Sequence, residues 1–233
     1  MIPVALDPAW AARGLPLRLG LLAVRIDPAA AVAPTAPVLA ETAAQRAAAL
    51  AGAAPASVPA IAATRAAYKA LGKDPARYRP AAEALLRRVV QGKGLDPINP
   101  VVDVNNIVSL ETGLSLGAYD AAALRPPLLC RPGGDGEHYR GIGRGPLNLA
   151  GLPILADREG PFGCPTSDSE RSATGPETRD LLMVLFDFAG GDAGPLTAAL
   201  ARAATLLARH AGAGDPDQAV VTDTGDGEDT AAP

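Results

Sequence analysis

Residues 101–120, VVDVNNIVSLETGLSLGAYD, interleave polar with apolar side chains more densely than a core needs. A strand-like VVDV run leads to two asparagines. A short helix-like stretch then ends at Gly113, and a tyrosine–aspartate pair follows. Asparagine at a strand-to-helix junction, here Asn105 or Asn106, suits an N-cap, because its side-chain oxygen accepts a backbone N–H. Gly113 suits a left-handed helix end, and Asp120 suits a cap on the AAA turn after it. Those structural tasks leave the second asparagine, Glu111 and the Tyr119-Asp120 pair unassigned. Their side chains fit ligand contact as well as capping.

A second cluster lies in ADREGPFGCPTSDSERSATGPETRD, residues 156–180. Asp157 to Gly160 reads as a turn between strands. Behind it runs a polar loop with Thr166, Ser167, Asp168, Ser169, Glu170, Arg171, Ser172 and Thr174. Backbone amides near glycine, together with hydroxyls, can hold a carboxylate, a ribose or a carbonyl oxygen. The same composition also serves a plain surface loop.

Other chemistries find no support. TSDSER does not follow the G-x-S-x-G order of a nucleophile elbow. His138 and His210 are the only histidines, and His210 falls near a helix end, where a cation favours the dipole. GIGRG, residues 141–145, lacks the strand–turn–helix context of a dinucleotide fingerprint, and no Walker lysine occurs. Cys130 and Cys164 match no metal spacing and read as reduced, buried thiols. The sequence therefore calls for no metal and no cofactor, and it assigns no catalytic side chain.

The elements that would position these residues change character along the chain. LRLGLLAVRI, residues 17–26, reads as a buried strand. APTAPVLAETAAQRAAALAG reads as a proline-led helix stopped by Gly52, and residues 53–60 as a connector. Ile61, Tyr68 and Leu71 predict one helical face. PAAEALLRRVVQG predicts another helix, with Leu85, Leu86 and Val89 on one side. After residue 94, NPVVDV, PPLLC, EHYRGIG, LPILAD and DLLMVLFDF read as short strands. GPLTAALARAATLLARHAGAG closes the fold as a helix ended by Gly212. Helices followed by strands argue for an α+β fold rather than a βαβ repeat.

The 233-residue length fits one large domain or one domain with appendages, and 48% apolar residues can build its core. The formal charge of −4 hides an asymmetry. Residues 211–233 carry Asp215, Asp217, Asp223, Asp226, Glu228 and Asp229 with no Lys or Arg, and the stretch from about 213 reads as a disordered acidic tail. Residues 61–94 carry eight basic side chains against Asp74 and Glu83. Such a run is either a solvated helix surface or a phosphate-contacting face; for the second reading the candidates are Arg65, Lys69, Arg77, Arg87 and Arg88. The N-terminus has no signal-peptide pattern, and no apolar run reaches membrane-span length. The expectation is a cytoplasmic protein with no membrane partner.

The order RPAAEALLRRVVQGKGLDPINPVVDVNNIVSLETGLSLGAYD, followed by GEHYRGIG, LPILAD and GPETRDLLMVLF, resembles the B3/B4 domain of the phenylalanyl-tRNA synthetase β-subunit over roughly residues 61–190. VVDVNN, SLETG and GAYD stand where that domain has a VD-x-x-N junction, an L-E-x-G helix end and an aromatic–acid pair. The resemblance implies a three-layer β/β/α body with mixed sheets over residues 61–212. Residues 1–60 would pack on it as a strand and helix, and 213–233 would be its tail. It also implies an editing site that hydrolyses a wrongly esterified amino acid from tRNA. Aminoacylated tRNA is then the expected partner, and a small amino-acid-like ligand the alternative. Carried over by position, the site comprises Asn106, Glu111, Tyr119, Asp120, Thr166, Ser167, Asp168 and Arg171. Two positions depart from the pattern: the family's histidine falls on Gly117 and its glutamate on Val184.

Overall fold

The structure is a computed structural model that describes residues 2–222. Its ten strands and six α-helices stack as three layers. The middle layer is an antiparallel sheet of four strands in the order β10 (Asp217–Thr222), β2 (Arg18–Arg25), β9 (Asp180–Asp187), β3 (Ser115–Asp120). Period-two alternation along β9 explains why it is central. Leu181, Met183 and Leu185 join one core, whereas Leu182, Val184 and Phe186 join another.

The first core packs against helices α2 (Ala36–Ala49), α4 (Ala81–Val90), α5 (Pro100–Thr112) and α6 (Gly194–Ala211). Gly20 in β2 lets α6 approach closely, since a Cβ there would lie 3.0 Å from Leu196 Cδ1. The second core packs against a mixed sheet in the order β1 (Val4–Leu6), β4 (Leu128–Pro132), β7 (Pro153–Asp157), β8 (Gly160–Gly163). In that sheet β1 pairs parallel to β4, and the other pairings are antiparallel. A hairpin of β5 (His138–Gly141) and β6 (Gly145–Asn148) flanks the layers. Helix α1 (Ala9–Ala12) and helix α3 (Pro59–Ala70) complete the set. The β/β/α layering is as expected, although only one of its two sheets is mixed.

Three expectations fail. NPVVDV is not a strand but the start of α5: Asn99 Oδ1 accepts the Val102 amide at 2.9 Å, and Pro100 occupies the first turn. The N-cap is therefore Asn99, and Asn105 and Asn106 lie within the helix. Gly113 does close it with φ of 78°. The stretch from 213 is not wholly disordered, because Asp217–Thr222 form β10 along β2. The rest of the acidic tail, from residue 223, lies outside the described residues. Finally, residues 1–60 are not a mere appendage: β2 sits inside the middle sheet between β10 and β9.

A candidate cleft at the edge of β3

Strand β3 is an edge strand of the middle sheet, and two segments close on it. From the helical side comes α5. From the edge comes the polar loop, pinned by a Tyr119–Ala173 bridge and by a Gly141–Ser169 bridge to the hairpin. Between them lies a cleft of about 230 Å³. Its rim carries Ile98 and Ile142, two of the three large apolar side chains that are exposed among the described residues. Val102, Ala118 and Ala173 form apolar walls, and Asn99, Asn105, Asp168 and Thr174 bring polar groups into it.

Asn105 points here because the spacing 98, 102, 105 follows one face of the chain entering and running along α5. Its Oδ1 is buried and has no hydrogen-bond partner. An unpaired buried acceptor costs about 1–3 kcal/mol, so it marks a place where the fold keeps a polar group for something else. Asp168 is partly exposed at the cleft. Its Oδ1 accepts the Tyr119 hydroxyl at 2.7 Å, and the Ile142 amide donates to its main-chain oxygen at 2.9 Å. Burial pushes the Asp168 carboxyl up to about 7, against the opposing effect of the hydrogen bond from Tyr119 and of nearby backbone amides. The tyrosine itself is held well above its ordinary value by burial and by the Asp168 charge, so it acts as a donor only.

The sequence-predicted site residues scatter. Asp168 lines the cleft. Asn106 does not; its neighbour Asn105 does. Glu111 points to the far side of α5, where both its oxygens hold Arg202, at 2.8 and 3.0 Å. Tyr119 is fully buried and supports Asp168 from below. Asp120 caps the turn at Ala122, as anticipated, and accepts the Thr178 hydroxyl. Thr166 is buried against Tyr68 and Tyr78. The Ser167 hydroxyl donates to the Ile142 carbonyl at 3.4 Å, and its own carbonyl accepts from Tyr139. Arg171 is bound by Asp157 and Glu159. Sequence reasoning thus missed Asn105 as a cleft residue, along with Ile98 and Ile142. The available signal was Asn99-Pro100, a cap followed by a first-turn proline. Reading it sets the helical phase and separates Asn105 from Asn106.

The positions that depart from the family pattern, Gly117 and Val184, are cross-strand partners. Val184 faces the space between the sheets, and a Cβ on Gly117 would collide with the Tyr119 hydroxyl. A Cβ on Gly163 would meet the same hydroxyl from the other side. The Tyr119 ring, edge-on to Phe162 at 5.0 Å, therefore fills this space.

Larger hollows offer less. One of about 600 Å³ lies over the ends of β2 and β9, and neither it nor the next contains a buried unpaired side-chain atom. One of about 370 Å³ abuts Arg18, which Asp187, Gly190 and Gly191 already satisfy. Cys130 and Cys164 are free and buried, and burial raises both thiols, so neither is a ready thiolate. No group of His, Cys, Asp or Glu among the described residues is arranged to hold a metal, and no helix among them is long and apolar enough to cross a membrane.

Of the basic candidates, Arg65 is turned inward, with Nη1 2.7 Å from the carboxylate of buried Glu83. Arg88 donates to the Gly94 carbonyl at 2.8 Å. Lys69, Arg77 and Arg87 are exposed, and Arg77 lies over the Tyr78 ring.

These features define an α+β domain with a small cleft that has an apolar rim and a carboxylate within it. The B3/4 domain pattern matches residues 63–212, more than half of the chain, and the chain belongs to that family. It is 38% identical over 69 residues to the phenylalanine–tRNA ligase beta subunit of Brucella abortus (strain 2308), covering 29% of this chain and 9% of the relative. It is 31% identical over 98 residues to the corresponding subunit of Mannheimia succiniciproducens, covering 41% of this chain and 12% of the relative. The chain thus matches about a tenth of the length of these relatives. Among solved structures, an N-terminal fragment of the phenylalanyl-tRNA synthetase beta-subunit from Pyrococcus horikoshii aligns over 48% of this chain and 40% of its own. Its TM-score is 0.42 and its identity 17%.

Proposed function

We propose that the protein hydrolyses the ester of an amino acid wrongly attached to tRNA, acting in trans. The observation that carries this reading is the meeting of Asp168 and the unpaired Asn105 in one apolar-rimmed cleft. At about 230 Å³ it lies below the roughly 300–1,000 Å³ of common small-molecule sites, a size that suits an aminoacyl group rather than a whole nucleotide. An aminoacyl ester is already activated, so positioned water and a general base can suffice. With its carboxyl raised to about 7, Asp168 is poised for that task near neutrality. Water adds to the ester carbonyl as Asp168 takes its proton. The carbon–oxygen ester bond then breaks, and the proton passes to the leaving ribose oxygen. The Thr174 hydroxyl and the Asn105 and Asn99 carboxamides are side-chain groups available to orient the carbonyl. Lys69, Arg77 and Arg87 supply exposed charge for tRNA phosphates, which position without reading sequence.

The test is a deacylation screen over a broad panel of mischarged tRNAs at catalytic protein levels. The native protein should turn over at least one of them. Asp168→Asn should lower kcat by about 10²–10⁴, and Asn106→Ala should leave it unchanged. Replacing Lys69, Arg77 and Arg87 together by Gln should raise KM for tRNA while leaving kcat unchanged. Absence of turnover on every tRNA would leave the cleft as a binding site for an amino-acid-like ligand.

A further inference from the structure

We infer that the cleft recognises the α-ammonium of an amino acid whose carboxyl is masked, and that it turns away the free amino acid. This deepens the hydrolase reading and rests on the same cleft, but it concerns what the cleft binds rather than whether it turns over.

The argument starts from the polar atoms that face the ligand. Asn105 Oδ1 is a buried acceptor without a donor. Asp168 carries a carboxylate of which one oxygen is engaged by Tyr119. No Lys, Arg or His lines the cleft. Of the cations nearest by sequence, Arg140 pairs with Glu170, Arg171 pairs with Asp157 and Glu159, and the exposed Arg144 is not among the residues that line the cleft.

The N-terminus of α5 is largely taken up, with only the Val101 N–H of its first turn left over. Val102 N–H is used by Asn99 Oδ1, Asp103 N–H by the Asn99 carbonyl, and Pro100 has none. The Asp103 carboxylate occupies the first turn and accepts the Ile98 amide and the Thr35 hydroxyl. The cleft thus has the electrostatics of a cation site with an apolar rim.

A free amino acid would bring a carboxylate beside Asp168 with no cation to compensate it, whereas an ester or amide brings none. This sign of selection also clears the product, because hydrolysis creates the repelled carboxylate. It arms the base as well. The groups facing Asp168 are Tyr119 from β3, Tyr139 from β5 and Cys164 beyond β8; the Tyr119 hydroxyl and nearby backbone amides favour the ionised carboxylate, burial opposes them, and none of these groups carries a positive charge. An arriving ammonium supplies the missing positive charge and draws the proton off.

The test uses the full chain and stable analogues: apolar amino-acid amides, the matching free acids, and the N-acetylated amides, titrated by calorimetry. At pH 8 the amides should bind at least about tenfold more tightly than the free acids, and N-acetylation should abolish binding. At pH 7, titration in buffers of different ionisation enthalpy should reveal release of up to about half a proton per amide bound. Asp168→Asn should remove both the preference and the proton release; Asn105→Ala should weaken amide binding without removing the proton release. Free acids binding as tightly as amides, N-acetyl amides binding equally, or no binding by any analogue would overturn the inference. Ammonium preference without deacylation of any tRNA would sink the hydrolase reading alone. Deacylation without ammonium preference would sink this inference alone.

Discussion

On one face of β3, Gly117 and Tyr119 look into the space between the two sheets; on the other, Ala118 looks toward α5. The first region is filled. Tyr119 occupies the room left by Gly117 and Gly163, Val184 and Phe162 pack beside it, and only its hydroxyl emerges, against Asp168. The second region is left open, with an unpaired Asn105 oxygen in its wall and two apolar side chains exposed at its rim. Packing has been completed where the family pattern would place polar recognition, and left incomplete one residue away along the strand. The positions of the family histidine and glutamate are thus taken up by packing in this chain.

The largest expected effect breaks the filled region. Tyr119→Ala removes a fully buried ring and leaves Asp168 without its hydroxyl donor. Urea denaturation should show a loss of about 3–5 kcal/mol, the range for deleting a buried aromatic side chain. A loss below about 1 kcal/mol would mean that the space between the sheets is not packed as described.

A second effect tests how the two regions are joined at Asp168. Its carboxyl ionises near 3.9 in the unfolded chain and at about 7 in the folded one. A raised folded value makes a contribution to stability that is fully present below about pH 4 and lost as pH rises through about 7. The melting temperature of the native protein should therefore fall between pH 5 and pH 8 more steeply than that of Asp168→Asn, which cannot ionise there. Parallel pH profiles for the two proteins would show that the carboxyl is not desolvated.

Much of this architecture was legible in the sequence. The alternation in DLLMVLFDF and LRLGLLAVRI fixes two central strands, and proline starts with glycine stops bound α2, α4 and α6. The helix α5 was not legible from its pattern, because Val101, Val104, Ile107, Val108 and Leu110 are buried around more than one face and leave no polar stripe. Its β-branched start then mimics a strand. The cleft depended on that helix, so a one-residue error in helical phase exchanged Asn105 for Asn106. Partnerships such as Glu111 with Arg202 and Arg65 with Glu83 join distant parts of the chain, which local spacing does not report. β10 was hidden because its short QAVVT run lies among the acidic residues of the tail, and its pairing with β2 comes from backbone hydrogen bonds.

The smallest effects separate open region from surface along α5 itself. Asn105→Ala replaces a mid-helix asparagine whose buried oxygen is unpaired, so stability should rise by about 0.5–1 kcal/mol through helix propensity and removal of that atom. Opposite signs for Tyr119→Ala and Asn105→Ala would express the difference between a packed face and a functional one. Glu111→Ala should cost about 0.2–1 kcal/mol, since its pair with Arg202 is partly exposed, with side-chain exposures of 29% and 42%. Glu111 is six residues beyond Asn105, about 120° away around the helix, and its carboxylate is held by α6 rather than aimed at the cleft. Binding of an amino-acid amide should therefore be unaffected by Glu111→Ala and weakened by Asn105→Ala. If calorimetry gave the reverse order, the ligand would sit on the α6 side of α5, and the open region at the edge of β3 would lose its role.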